Sequence, residues 1–407
     1  MPIVTRPVPI LAAALGLLAV ACDRVPKYAV ESCKAEVHVL PAKTDILFVV
    51  DDSGSMKEEQ ENLRQNLAAF VQALARSPVP HDFQIGVTTT DVVDFDGLNV
   101  RFPLNLEPYQ SHDADIPYPR GTLVAVDPGV RADAALAGLF VYSPADGFGG
   151  TRLLHTGSPT LVEDFEANVL VGLAGSGKEQ PLQAMQLALG PELLGGANAG
   201  FLRPGARLGV VILTDEDDCS EVTTPYAGDS NRRCHDSKIK AEQLTPVADL
   251  VDFLQAPIAG EARDPVLAVI AGFDPTTLAP TGCGSSYDVP TRLDEAVTRM
   301  GSAHSLRASI CDQSFGPTLQ TIADLLVPQT VPLQDAPSTG AMMVVSVHPL
   351  AGAPVTCHVA DAGTAAAEAA DAVFSPPREG RPATLKLQHA CQLHGGDALD
   401  VRLVCAG

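Results

Sequence analysis

Four oxygen-bearing side chains lie at the ends of two apolar runs. Asp51, Ser53 and Ser55 form the spacing D-x-S-x-S within "VVDDSGSM" (49–56), directly after the apolar stretch 46–50. Asp215 closes a second apolar stretch, "RLGVVILTD" (207–215). A strand buried on both faces rarely ends in acids unless something cationic waits there, because an uncompensated buried carboxylate is costly. Carboxylates and hydroxyls are hard oxygen donors, and a donor set of this kind suits Mg2+, Mn2+ or Ca2+. Neutral hydroxyls in the inner shell leave such an ion under-neutralised, so it keeps an attraction for a carboxylate from outside. A competing reading has the serines only capping the next helix, since Ser55 and Glu58 satisfy the S-x-x-E spacing. Capping explains neither Asp51 nor Asp215.

The surrounding pattern supplies the elements that must position these groups. Continuous apolar runs at "DILFVV" (45–50), "FQIGVTTTD" (83–91), "RLGVVILTD" (207–215), "PVLAVIAGF" (265–273) and the weaker "SLRASIC" (305–311) predict strands. Leu63, Leu67, Phe70, Val71 and Leu74 share one face of a helix after the first strand. Further helices are predicted over 244–255, where Thr245 and Pro246 suit the first turn, and over 316–327. This alternation predicts an α/β fold: a doubly wound, mainly parallel, Rossmann-like sheet with helices on both faces. Open sheets of that kind bind ligands at the carboxyl ends of their strands. The domain spans 43–328, with insertions at about 92–158, expected to hold a hairpin or two, and at about 216–240. Beyond it, "AMMVVSVHP", "PVTCHVAD", "ATLKLQHACQL" and "ALDVRLVC", with a glycine turn at 394–397, predict a small all-β module over 329–407.

Bulk properties narrow the partners. The 407 residues carry a net charge of −22, which repels nucleic acid and anionic headgroups and attracts divalent cations. Near the N-terminus, Arg6 precedes an apolar stretch, 10–21, that is short for a membrane span and fits a signal peptide over 1–21. "LLAVAC" (17–22) resembles a bacterial lipobox, which would make Cys22 the lipidated first residue of the mature chain, followed by a tether over 22–42. The other reading is an ordinary signal peptide with a chance cysteine. Of nine cysteines, Cys22 set aside leaves eight, an even number suited to an oxidising compartment. Cys219 with Cys234 and Cys283 with Cys311 are the expected disulfides. Cys33, Cys357, Cys391 and Cys405 allow three pairings.

Taken together, "DDSGSM" with its amphipathic helix, the Gly-rich turn of "AGSGKEQPLQAMQLAL" (174–189) and a second "TD" after an apolar strand resemble the von Willebrand factor type A domain and its metal-ion-dependent adhesion site. The resemblance covers about 43–328, and the whole chain looks like an exported bacterial lipoprotein built on that domain. It implies that Ser53 and Ser55 bind a metal through their hydroxyls, and that Asp51 and Asp215 act directly or through water. Ser176, counted back from Leu182, would stand for the family's threonine. It also implies adhesion without catalysis, the metal bridging the domain to a carboxylate of a protein or glycan partner at the cell envelope. After Asp215 the family commonly has glycine, whereas Glu216, Asp217 and Asp218 follow here. Those acids could quench the pull on an acidic ligand, build a second, Ca2+-type site, or form a solvated loop.

Other chemistry fits less well. "GLAGSGKE" (172–179) nearly spells a phosphate-binding loop, but Glu179 stands where Ser or Thr is required and would repel a phosphate. A phosphatase-type role for Asp51 needs an acid two residues on, where Ser53 stands. His348, His358, His389 and His394 lack metal-ligand spacing. The alternatives to adhesion are a hydrolase using the same metal and a structural envelope protein with a non-functional site.

Overall fold

A computed structural model describes residues 35–92, 121–129, 150–173, 178–221, 244–334, 341–378 and 380–405. Strand β1 (Ala35–Glu36) is followed by β2 (Ala42–Val50), helix α1 (Lys57–Ala75), β3 (His81–Thr89) and β4 (Leu154–His155). Helices α2 (Leu161–Val169), α3 (Pro181–Ala188) and the short α4 (Pro191–Leu194) lead to β5 (Arg207–Leu213). Then α5 (Val247–Gln255), β6 (Val266–Ala271), α6 (Thr291–Met300), β7 (Ser305–Ser309) and α7 (Gly316–Leu325) alternate.

Six strands form one sheet in the order β4-β3-β2-β5-β6-β7. All neighbours are parallel except the antiparallel edge strand β4. The mainly parallel α/β sheet expected from sequence is therefore present. Because β2 and β5 are covered on both sides, both read as unbroken apolar runs. Alternate residues of β2 point to opposite faces. Ile46, Phe48 and Val50 pack with α1, α2 and α7 residues such as Leu67, Phe165 and Leu319. Leu47 and Val49 pack with α3, α5 and α6 through Leu182, Leu250 and Leu293. The Phe48 ring lies 5.7 Å from Phe70 and 5.1 Å from Phe165, edge-on to both. Glycine is required within β3, where a Cβ on Gly86 would come 2.9 Å from Leu123 and 3.0 Å from Phe201.

The first insertion is described only in part. "GTLVAVDP" (121–128) forms no strand; Val124 N–H donates to the Val87 carbonyl beside β3, and Leu123–Val126 are buried. Among the described residues the insertion contributes β4 and no hairpin of its own; 93–120 and 130–149 lie outside them. Of the second insertion, 222–243 likewise lies outside the described residues.

Among its described residues the C-terminal segment is all-β apart from one short turn of 3-10 helix: β8 (Thr330–Leu333), β9 (Ala341–His348), β10 (Val355–Cys357), β11 (Val359–Asp361), β12 (Ala372–Ser375), β13 (Ala383–Leu387) and β14 (Ala398–Cys405). They form two four-stranded sheets, β1-β14-β9-β10 and β11-β12-β13-β8, around one apolar core that includes Val331, Val345, Leu385 and Val401. "PVTCHVAD" is not one strand. The chain changes sheets at His358, whose N–H donates to the Asp371 carboxylate. Within the stretch 22–42, expected as a tether, Ala35 and Glu36 instead pair with Leu403 and Arg402 of β14. Val37 N–H donates to the Val401 carbonyl, and Leu40 N–H to Pro332.

Cys283 is bonded to Cys311, as expected, and Cys357 to Cys391, which decides among the open pairings. Cys219 is disulfide-bonded as well; Cys22 and Cys234 lie outside the described residues. These bridges fit an oxidising, extracytoplasmic compartment. No helix among the described residues is long and apolar enough to cross a membrane. With Cys357 bonded to Cys391, the one pairing left of the three that the sequence allows joins Cys33 to Cys405. Peptide mapping of the unreduced protein should therefore recover a Cys33–Cys405 peptide; alkylation of either thiol would contradict it.

Candidate metal centre

The chain leaves β2 for β3 on one side and returns to β5 on the other, so the carboxyl ends of β2 and β5 flank the switch point of the sheet. Asp51 stands at that point. Its N–H continues the ladder by donating to the Leu213 carbonyl at 2.9 Å. Its carboxylate accepts from Ser53 N–H at 2.8 Å through Oδ1 and from the Thr214 hydroxyl at 2.6 Å through Oδ2. The buried Gln60 amide donates to the carbonyls of Asp51 and Gly172, both at 2.8 Å, tying α1 and the loop after α2 to the strand end.

The serine hydroxyls of Ser53 and Ser55 lie 3.1 Å apart, and that of Ser55 also bonds the Asp215 carboxylate. Helix α1 begins at Lys57 with no side-chain cap, so Ser55 does not cap it. Asp215 is buried, and its Oδ1 has no hydrogen-bond donor. Its carbonyl accepts from Tyr287 and Asp288 N–H, which fixes the loop after β6 against it. Asp51, Ser53, Ser55 and Asp215 thus meet at one edge. Ser176 lies outside the described residues.

Beneath this edge lies a carboxylate that the sequence reading set aside. Glu179 precedes α3 and is fully buried. Its backbone is fixed on both sides: Gln180 N–H donates to Thr90 and Cys219 N–H donates to the Glu179 carbonyl. The Thr90 hydroxyl donates to Oε2 of Glu179, while Oε1 has no partner. Asp51, Asp52 and Glu179 offer carboxylate oxygens that all lie within 4.8 Å of one another. This acidic triad can hold a metal ion.

Electrostatics record the crowding. Burial, then the Asp215 charge, raises the Asp51 pKa to about 7 against the hydrogen bonds from Thr214 and Ser53. Glu179 is pushed well above the usual carboxylate range by burial and then by the charges of Asp51, Glu216, Asp52 and Asp91. Burial raises Asp215 as well. A hard divalent cation would relieve all three, so the donor set fits one.

The acidic loop, for which the sequence leaves three readings open, is tied into the fold through Asp217 and Asp218. Asp217 accepts from the N–H groups of Arg292 and Leu293 and from the Thr291 hydroxyl, satisfying orphan donors in the first turn of α6. Asp218 accepts from Leu182 N–H at the start of α3 and from the Ser220 hydroxyl, and pairs with the Arg292 guanidinium at 2.9 Å. The Glu216 charge acts on Glu179.

Asp52, Thr90, Glu179 and Thr214 were missed as site residues. The doubled acid of "DD" was the available signal for Asp52, and the acid that spoils the phosphate-loop pattern was the signal for Glu179.

The fold and site together define an open α/β protein with an acidic, oxygen-lined edge at its switch point. No family model matches the chain, and no curated protein does. Among solved structures, it is similar to proximal thread matrix protein 1 from the mussel byssus, with 15% identity over 80% of this chain and 53% of that one, at a TM-score of 0.30. It is also similar to the pilus adhesin SpaC of Lactobacillus rhamnosus GG, with 11% identity over 91% of this chain and 40% of that one, at a TM-score of 0.36. The chain thus spans about half or less of the length of these proteins. Superpositions this loose carry no argument about function.

Proposed function

We propose that the chain is an extracytoplasmic binding protein with a von Willebrand factor type A domain, which uses a divalent cation at Asp51, Ser53, Ser55 and Asp215 to bind an acidic group of a protein or glycan. The observation that carries this reading is the meeting of those four side chains at the switch point, with an orphaned, buried Asp215 oxygen among them. Two hydroxyls contribute oxygens without charge, so at this outer edge the ion retains attraction for a carboxylate. The activity is binding rather than turnover. A lipid anchor on Cys22 would hold the protein at the envelope.

The test is cation-dependent capture. The Mg2+- or Mn2+-loaded protein is expected to bind a glutamate-containing peptide and to ignore the same peptide with glutamine in its place, with chelator abolishing the difference. Equal binding of both peptides, or binding that survives chelation, would count against the carboxylate-bridging mechanism. Cys22→Ser is expected to free the protein from membrane fractions; unchanged association would remove the anchor from the proposal.

A further inference from the structure

We propose a second ion site, distinct from the outer edge: Ca2+ held behind the first ion by Asp52, Glu179 and the shared carboxylate of Asp51. The proposal rests on the preceding reading for the outer ion only. Its first support is geometric, since one oxygen from each of the three carboxylates lies within 4.8 Å of the other two, and all three residues are buried. Its second is Glu179 Oε1, which is fully buried in this cluster and accepts no hydrogen bond although its twin does. A buried carboxylate oxygen without a donor is unfavourable unless a positive partner meets it.

Charge gives a third argument. The charges acting most strongly on Glu179 are all carboxylates, those of Asp51, Glu216, Asp52 and Asp91, and Asp215 acts on Asp51 in turn. One dication offsets two of these six groups. Among the described residues, Lys178 pairs with Glu221 and Arg292 with Asp218. A second dication offsets two more and leaves two.

Asp51 can serve both ions. Its carboxylate accepts from the Thr214 hydroxyl and from both the N–H and the hydroxyl of Ser53, so of its roughly four lone-pair sites one is left for the inner ion, and the outer ion is reached through water. The chemistry selects Ca2+ for the inner position. Ca2+ accepts a cage of protein carboxylates in irregular geometry, whereas Mg2+ holds several waters and an octahedron, and a fully buried triad leaves little room for either. Glu179 is also well placed to act as a fixed ligand, because hydrogen bonds to β3 and to the loop after Asp215 hold its backbone on both sides.

Counting ions decides the matter. The full chain, stripped with chelator and titrated with Ca2+, is analysed by native mass spectrometry. Two Ca2+ per wild-type chain are expected, falling to one in Glu179→Gln or Asp52→Asn, and to one in the Ser53→Ala, Ser55→Ala double variant. Eu3+ excitation spectra give an independent readout: two environments in wild type and one in each variant. A single ion in wild type, lost with the serines and retained in Glu179→Gln, would overturn the inner site and leave the outer one standing. Two ions that survive both Glu179→Gln and Asp52→Asn would also overturn it. No bound ion at all would sink both readings.

Discussion

Ion-stripped protein should melt at a lower temperature at pH 8 than at pH 5, and saturating divalent cation should reverse that order. The sign follows from Asp51, whose folded pKa is raised to about 7 by burial and by Asp215. A carboxyl with a raised folded pKa contributes stability that is complete below its ordinary value near 4. That contribution is lost as pH rises through the folded value, at about 1.4 kcal/mol per pH unit for each such group. Glu179 and Asp215 are shifted in the same direction. The cation binds the ionised forms, so at about a hundred times its dissociation constant it adds about 2.7 kcal/mol. Asp51→Asn should flatten the slope. Asp51→Ala combined with Ser53→Ala should remove the ion-dependent gain without unfolding the domain. Calorimetry at both pH values, with Mg2+, Mn2+ and Ca2+, is the measurement. A double variant that responds to all three ions as wild type does would refute the strand-end site.

Arg292→Met should be among the most destabilising single changes near the site while leaving the ion's effect intact. Its guanidinium donates to the fully buried Asp218 carboxylate through Nε at 3.1 Å and Nη2 at 2.9 Å, and to the Thr245 carbonyl at 2.7 Å. Removing it takes the guanidinium from a buried ion pair, and breaking such a pair typically costs about 3–5 kcal/mol. It also loosens the point where α3, α6 and the acidic loop meet. Denaturant unfolding should show the loss, and the gain from added cation should match wild type. If Arg292→Met unfolds like wild type while Asp217→Ala removes the cation's gain, the acidic loop binds the ion and the assignment of Asp217 and Asp218 to the fold fails.

The sequence made the sheet legible because each buried strand is a continuous apolar run bounded by polar residues. "DILFVV" lies within Ala42–Val50, and "PVLAVIAGF" contains Val266–Ala271. Helix α6 was passed over, although Leu293, Ala296, Val297 and Met300 recur at helical spacing and are buried. Strand β1 was unreadable, since two residues carry no periodicity and their pairing with β14 reaches across the chain. At the site, Asp51, Ser53 and Ser55 are legible because one local turn holds them. Asp217 and Asp218 are not, because their partners, Thr291 and Arg292, lie 74 residues away. Glu179 is hidden for the same reason: Thr90, 89 residues earlier, and the strand end at Asp51 define its surroundings.

Strand β2 begins next to the β-module, where β1 pairs with β14, and ends at Asp51. A pull between a partner held at that edge and the chain on the N-terminal side of β1 would run along the axis of β2. Its neighbours β3 and β5 are hydrogen-bonded to it along both flanks. Such a load shears two ladders at once instead of opening one bond after another, so a strand buried along nearly all its length doubles as the molecule's tension member.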